Sequence, residues 1–142
     1  MFLVDSNVWL ERLLDQERAG EVGEFLGSVE AAQLLITEFS LYSIGIALCR
    51  LGKDEVFEDF VSDALVDSGV PRVRLDTQDF GQLLAARQQF RLDFDDAYQY
   101  VAAAKAGATI VSFDKDLDRT DRGRKTPAEA LAEVRARSGE RG

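Results

Sequence analysis

The sequence predicts an α/β fold in which a parallel β-sheet is covered by helices on both faces. Three observations predict it. Short runs of strand length, residues 2–4, 34–36, 72–75 and 109–113, mainly apolar except for the two arginines of 72–75, are separated by longer stretches with helical spacing. No linker, repeat or low-complexity segment interrupts that alternation, and the two prolines, Pro71 and Pro127, each sit beside an expected boundary. The length of 142 residues fits one domain with one core. That domain is expected over residues 1–137, with 138–142 as a frayed tail.

Taken in order, residues 2–4 form a strand, and 7–18 a helix burying Leu10, Leu13 and Leu14. A second helix is expected over 21–30 and a strand over 34–36. Residues 38–51 read as a helix with Leu41, Ile44, Leu48 and Leu51 on one face and Gly52 as its stop. Gly45 inside that helix costs about 1 kcal/mol relative to alanine, and the expected return is close approach of a neighbouring backbone. Residues 54–66 are the clearest amphipathic helix, with Phe57, Phe60, Val61, Ala64 and Leu65 recurring at helical spacing. After a short strand over 72–75, Thr77 is placed to cap a helix carrying Phe80, Leu83, Leu84 and Phe90. Residues 95–106 form a helix closed by Gly107, 109–113 a strand, and Pro127 opens a last helix to about residue 137.

The absences narrow the chemistry. With no histidine and the single Cys49, a Ser-His-Asp triad, a Cys-His pair, histidine-bound zinc and an intrachain disulfide are all excluded. What remains in quantity is carboxylate, 26 Asp and Glu against 17 Lys and Arg. The longest mainly apolar run, around 44–48, is too short to span a bilayer. The N-terminus lacks the basic start of a signal peptide and meets Asp5 at once. A cytoplasmic protein without a membrane is the expectation. The net charge of −9 is uneven: residues 1–116 carry 10 basic and 21 acidic side chains, residues 117–142 carry 7 and 5.

Parallel sheets bind ligands beyond the carboxyl ends of their strands, and acids recur there. Asp5 follows the first strand, Glu38 lies two residues past the second, and Asp114 ends the last. Asp96 opens the helix before that last strand, and Asp116 is two residues past Asp114. Gathered together, these carboxylates would raise one another's pKa, which makes physical sense if cations fill the site. Hard oxygen ligands suit Mg2+ or Mn2+, and such ions support phosphodiester hydrolysis without histidine or cysteine. Most of these acids also have a plainer reading, and for Asp116, like Asp118, it is an ordinary solvated loop. Asp5 is positioned to cap the helix that follows it, and Glu38, Asp93, Asp95 and Asp96 lie where a helix dipole favours negative charge.

The motifs around these acids resemble a known family. Phe2-Leu3-Val4-Asp5-Ser6-Asn7-Val8-Trp9-Leu10 resembles the opening of PIN domains, a hydrophobic strand followed by Asp-Thr/Ser-Asn. Asp95-Asp96-Ala97-Tyr98-Gln99-Tyr100-Val101-Ala102-Ala103-Ala104 resembles the family's third motif. Gly107-Ala108-Thr109-Ile110-Val111-Ser112-Phe113-Asp114-Lys115-Asp116-Leu117 resembles the fourth. The resemblance implies a single PIN-like domain and an acidic quartet of Asp5, Glu38, Asp96 and Asp114. Asp116 joins Asp5, Asp96 and Asp114 as a metal ligand, and Ser6, Asn7 and Ser112 orient the carboxylates or the scissile phosphate. It further implies a VapC-like toxin, an endoribonuclease using Mg2+ or Mn2+, paired with an antitoxin protein and forming a homodimer.

One feature departs from the family. Many members carry the second acid about a turn inside the helix, in a Glu-Leu-x-x-Gly setting. Here Tyr42 and Ser43 occupy that neighbourhood before Gly45, and the only acid is Glu38 at the helix start. Either Glu38 reaches the site or the second ligand is missing. The displaced acid and the charge of −9 keep a non-catalytic PIN-like binding or assembly module as an alternative. A metal-dependent phosphatase ranks last, because Asp5-Ser6-Asn7 lacks a second Asp at the first strand. For an RNA substrate, single-stranded or looped, Arg119, Arg122, Arg124 and Lys125 are the expected phosphate contacts. Trp9, Tyr98 and Tyr100 are candidate stacking aromatics, although the apolar neighbours of Trp9 and Tyr100 better suit a core or an interface.

Overall fold

A computed structural model describes residues 1–141. Four short strands, β1 (Phe2–Val4), β2 (Leu34–Thr37), β3 (Arg72–Val73) and β4 (Thr109–Val111), form one sheet in the order β3-β2-β1-β4. All three pairings are parallel, with Leu3 opposite Leu35 on one side and Ile110 on the other. The helices are α1 (Ser6–Leu13), α2 (Ala19–Gly27), α3 (Glu38–Arg50), α4 (Asp54–Phe60), α5 (Phe80–Phe90), α6 (Phe94–Ala106) and α7 (Pro127–Arg141). The expected α/β class and two-sided parallel sheet are what the chain adopts.

Alternation along the strands divides the core. Phe2, Val4, Leu34, Ile36 and Val111 face a cluster built with α1, α2, α3, α4 and α7. Leu3, Leu35 and Ile110 face a second cluster built with α5 and α6. With two to three residue pairs per ladder, hydrogen bonds at about 0.5–1.5 kcal/mol each supply the smaller part of sheet stability. Burial of each strand leucine or isoleucine contributes about 1.5–3 kcal/mol, so side-chain burial holds this sheet together. Among the described residues no helix is long and apolar enough to cross a membrane.

Several boundaries differ from the sequence expectation. Helix α1 stops at Leu13 rather than residue 18, because Asp15 takes a left-handed backbone with φ 50° and turns the chain into α2. Val8 and Trp9 are its buried residues, while Leu10, Leu13 and Leu14 are half-buried. The amphipathic stretch over 54–66 is α-helical only to Phe60 and continues as a π-helical segment, Val61–Asp67. The cap before α5 is Asp76, not Thr77: its side chain and that of Asp79 close a reciprocal capping box. On α5, Leu83 is buried, whereas Phe80 and Leu84 are exposed. A Cβ on Gly45 would lie 3.0 Å from the Phe57 ring, so the close neighbour is an aromatic side chain and not a backbone. Helix α7 runs on past residue 137, and Gly142 lies outside the described residues.

The chain moves outward from β1 to β2 and β3, then crosses to β4 on the other side of β1. The strand order therefore reverses between β1 and β4, the place where open α/β sheets form a crevice. Asp5 and Asp114 follow the two strands that flank it.

Candidate metal centre

Asp5 is the residue at which β1 becomes α1. It is 7% exposed, and both of its carboxylate oxygens accept hydrogen bonds. Oδ1 accepts the Ser6 backbone N–H at 2.8 Å and Gln99 Nε2 at 2.9 Å, and Oδ2 accepts Ser112 Oγ at 2.8 Å. Asp5 thus caps α1 while its carboxylate is held at the carboxyl end of β1. Burial pushes the Asp5 pKa up against the pull of these hydrogen bonds.

Asp96, Asp114 and Asp116 come together, with one carboxylate oxygen of each within 4.8 Å of the others. Asp96 is in the first turn of α6, on the face that also buries Gln99 and Ala103. Asp114 lies three residues past β4 and caps a short 3-10 turn, Lys115–Arg119, by accepting the Asp116 N–H at 2.9 Å. That turn brings Asp116 back toward Asp96. Burial, then the adjacent Asp114, then Asp95 and Asp5, push the Asp96 carboxyl up to about 8. Three carboxylates at this separation are mutually repulsive, and a hard divalent cation would relieve the repulsion with oxygen ligands alone.

Ser112 connects the cluster to Asp5. Its hydroxyl donates to Asp5 and accepts the Asp114 N–H at 2.9 Å and Asn7 Nδ2 at 3.2 Å. Asn7 Oδ1 accepts the Phe113 N–H at 3.2 Å, which fixes the orientation of that amide. Of the serine and asparagine residues singled out in the sequence, Ser6 contributes its backbone N–H, and Asn7 and Ser112 form side-chain links. Glu38 is not a member of the three-carboxylate group. It is half-buried in the first turn of α3, with Oε1 3.8 Å from Arg72 Nε.

The basic stretch after β4 is committed to the fold. Arg119 donates to the Arg91 carbonyl at 2.7 Å and pairs with Asp116 at 2.9 Å. Arg122 donates to the Ala108 carbonyl at 2.9 Å. Arg124 donates to the Ser112 carbonyl at 3.1 Å and pairs with Asp118, and Lys125 pairs with Glu133. The segment also extends the sheet edge, since Lys125 bridges Val111. The aromatic candidates are similarly engaged. Trp9 is buried against Phe60, Tyr98 is buried and stacked on Phe39, and Tyr100 donates to Asp121 at 2.6 Å.

Sequence reasoning missed Gln99, Thr37 and Ser40. Gln99 is 1% exposed; Thr37 Oγ1 donates to its Oε1 at 2.9 Å, while its Nε2 donates to Ser40 Oγ at 2.6 Å and to Asp5. Thr37 is the N-cap of α3, accepting the Ser40 N–H at 3.0 Å. A signal existed: Gln99 lies three residues after Asp96, hence on the same helix face, and Thr37 ends β2 with Ser40 three residues beyond, at the same sheet edge as Asp5.

Residues 2–123 match the model of the PIN domain family. Among solved structures, the chain is similar to a toxin-antitoxin complex from Klebsiella pneumoniae, with 16% identity, a TM-score of 0.71, and coverage of 91% of this chain and 99% of that one. It is also similar to PAE2754 from Pyrobaculum aerophilum, with 18% identity, a TM-score of 0.66 and 95% of each chain covered. A comparison with curated protein sequences finds no match.

Proposed function

Because the chain belongs to the PIN domain family, we propose that it is a divalent-metal-dependent endoribonuclease, the toxin of a toxin–antitoxin pair. The observation that carries this reading is the group Asp96, Asp114 and Asp116 at the crevice where strand order reverses. These three side chains would hold Mg2+ or Mn2+, with Asp5 alongside. When bound, such an ion supplies an activated water and charge neutralisation at the phosphate. The protein's own contribution is to keep the carboxylates from reorienting. Ser112, Asn7 and Gln99 tie Asp5 to the end of β4 and to α3. The antitoxin assignment draws on a 16%-identical structural neighbour described as a toxin-antitoxin complex. A cytoplasmic homodimer acting on single-stranded or looped RNA, with residues 1–137 as the nuclease domain, completes the reading.

The test is a thermal melt with and without Mn2+ on wild type and Asp96→Asn, followed by RNA cleavage. The expected result is a midpoint rise and Mn2+-dependent cleavage in wild type, both lost in the variant. Cleavage retained by both Asp96→Asn and Asp5→Asn would sink the proposal. The position of Glu38, paired with Arg72, favours a second reading as a non-catalytic assembly module. That reading expects no defined Mn2+ site by calorimetry.

A further inference from the structure

An open cleft of about 490 Å³ lies beside the carboxylates, with Asn7, Leu10, Leu14, Arg18 and Phe113 among its lining. Two of its lining residues, Asn7 and Phe113, belong to the hydrogen-bonded network around the candidate metal centre. Asn7 bonds Ser112 and the Phe113 N–H, and Phe113 immediately precedes Asp114. The Arg18 guanidinium lies 5.0 Å from the centroid of the Phe113 ring. Among the described residues, Arg18 has no carboxylate within ion-pair reach. Its backbone N–H is held by Glu11 Oε2 at 3.1 Å, which anchors the turn that presents it.

Of the basic side chains that follow β4, Lys115 is exposed between Asp114 and Asp116 and has no hydrogen bond or ion pair among the described residues, but it does not line the cleft. Arg119, Arg122, Arg124 and Lys125 each have protein partners. A bound RNA strand would have to break those contacts to use them, at the cost of leaving Arg124, 10% exposed at its side chain, without Asp118. Arg18 gives up no ion pair, only its contact with the Phe113 ring.

Building on the nuclease reading above, we infer that this cleft is a nucleotide subsite for the residue flanking the scissile phosphate. Its phosphate meets Arg18, and its base lies against Phe113, Leu10 and Leu14. Planar guanidinium and aromatic groups are the surfaces on which single-stranded bases stack. Glu11 and Glu17, also in the lining, oppose a second phosphate, so the cleft takes one base and not a run of backbone.

The test uses Asp96→Asn, in which cleavage is expected to be off, and fluorescent single-stranded hexaribonucleotides read by anisotropy over a salt series. In that background Arg18→Ala weakens binding about tenfold, within the range for losing one charge-assisted hydrogen bond to a phosphate. It also lowers the slope of log Kd against log salt by about 0.7, the signature of one lost phosphate contact on a single strand. Arg18→Lys restores the slope but not the full affinity. Equal affinity and slope with and without Arg18 overturn the proposal and leave the cleft to a polypeptide segment. A parent that binds no hexamer overturns it too. The Mn2+ midpoint rise of wild type judges the metal site separately, so the two readings fail distinguishably.

Discussion

Gln99 Nε2 lies 2.9 Å from Asp5 Oδ1, joining α6 to the end of β1 across 94 residues of sequence. The same amide is locked from its other end by Thr37, whose hydroxyl donates to Oε1. Amide orientation is therefore dictated: nitrogen toward Asp5 and Ser40, oxygen toward Thr37. A neutral donor holds the buried acid without adding charge to an already negative site.

Gln99→Leu tests that account. It removes one donor from Asp5 and takes away the acceptor of the buried Thr37 hydroxyl. Leaving a buried polar group unsatisfied costs about 1–3 kcal/mol, and denaturant unfolding should show a loss of that order. Gln99→Glu should cost more at neutral pH, because it sets another carboxylate beside Asp5. It should recover part of the loss when Mn2+ is added.

The raised Asp96 pKa makes a statement about stability. In the folded, metal-free protein the carboxyl holds its proton to about pH 8, whereas in the unfolded chain it ionises near pH 4. Between those values the folded state binds the extra proton, so stability falls as pH rises from 4 to 8 and levels off above. Asp5 shifts in the same direction, chiefly through burial. The lowered groups, Asp79, Glu129 and Glu133, act oppositely but only at acid pH. The chain has no histidine to titrate in between. Melts in EDTA should give a lower midpoint at pH 8 than at pH 5.5, and Asp96→Asn should flatten the difference. A midpoint that rises over this interval in wild type would contradict the assignment.

Gly45→Ala should show two opposed effects. Alanine favours the α3 helix by about 1 kcal/mol, but its Cβ meets the Phe57 ring at 3.0 Å. Overpacking of this kind costs about 1–3 kcal/mol, so the single substitution is expected to destabilise. In a Phe57→Leu background the clash is relieved, and the same substitution should become neutral or stabilising. A double-mutant cycle by chemical unfolding measures the coupling.

The fold class was legible because a two-faced parallel sheet writes itself as uninterrupted apolar strands such as Phe2-Leu3-Val4 and Leu34-Leu35-Ile36. The acids at strand ends were legible for the same reason, since strand ends are read directly from those runs. What sequence did not disclose was partnership. Nothing local to Arg119 or Arg124 says that their guanidiniums turn back onto Asp116, Asp118 and the Ser112 carbonyl. Likewise Gln99 is an unremarked polar residue until α6 is laid against the ends of β1 and β2. The stop of α1 at Leu13 depends on one left-handed residue, Asp15, which a helical apolar pattern overrides on paper.

Glu38 and Asp116 then separate what the motifs left open. Asp116 shares a site with Asp96 and Asp114, so Asp116→Asn should reduce the Mn2+-induced midpoint rise. A ligand at 100 times its Kd stabilises by about 2.7 kcal/mol, which for a domain of this size is several degrees. Glu38 faces a half-exposed Arg72 at 3.8 Å, a contact worth at most about 1 kcal/mol. Glu38→Gln should therefore lower the metal-free midpoint slightly and leave the Mn2+ increment unchanged. Loss of the increment in Glu38→Gln, with retention in Asp116→Asn, would reverse the two roles and put the second acid of the family motif back at the start of α3.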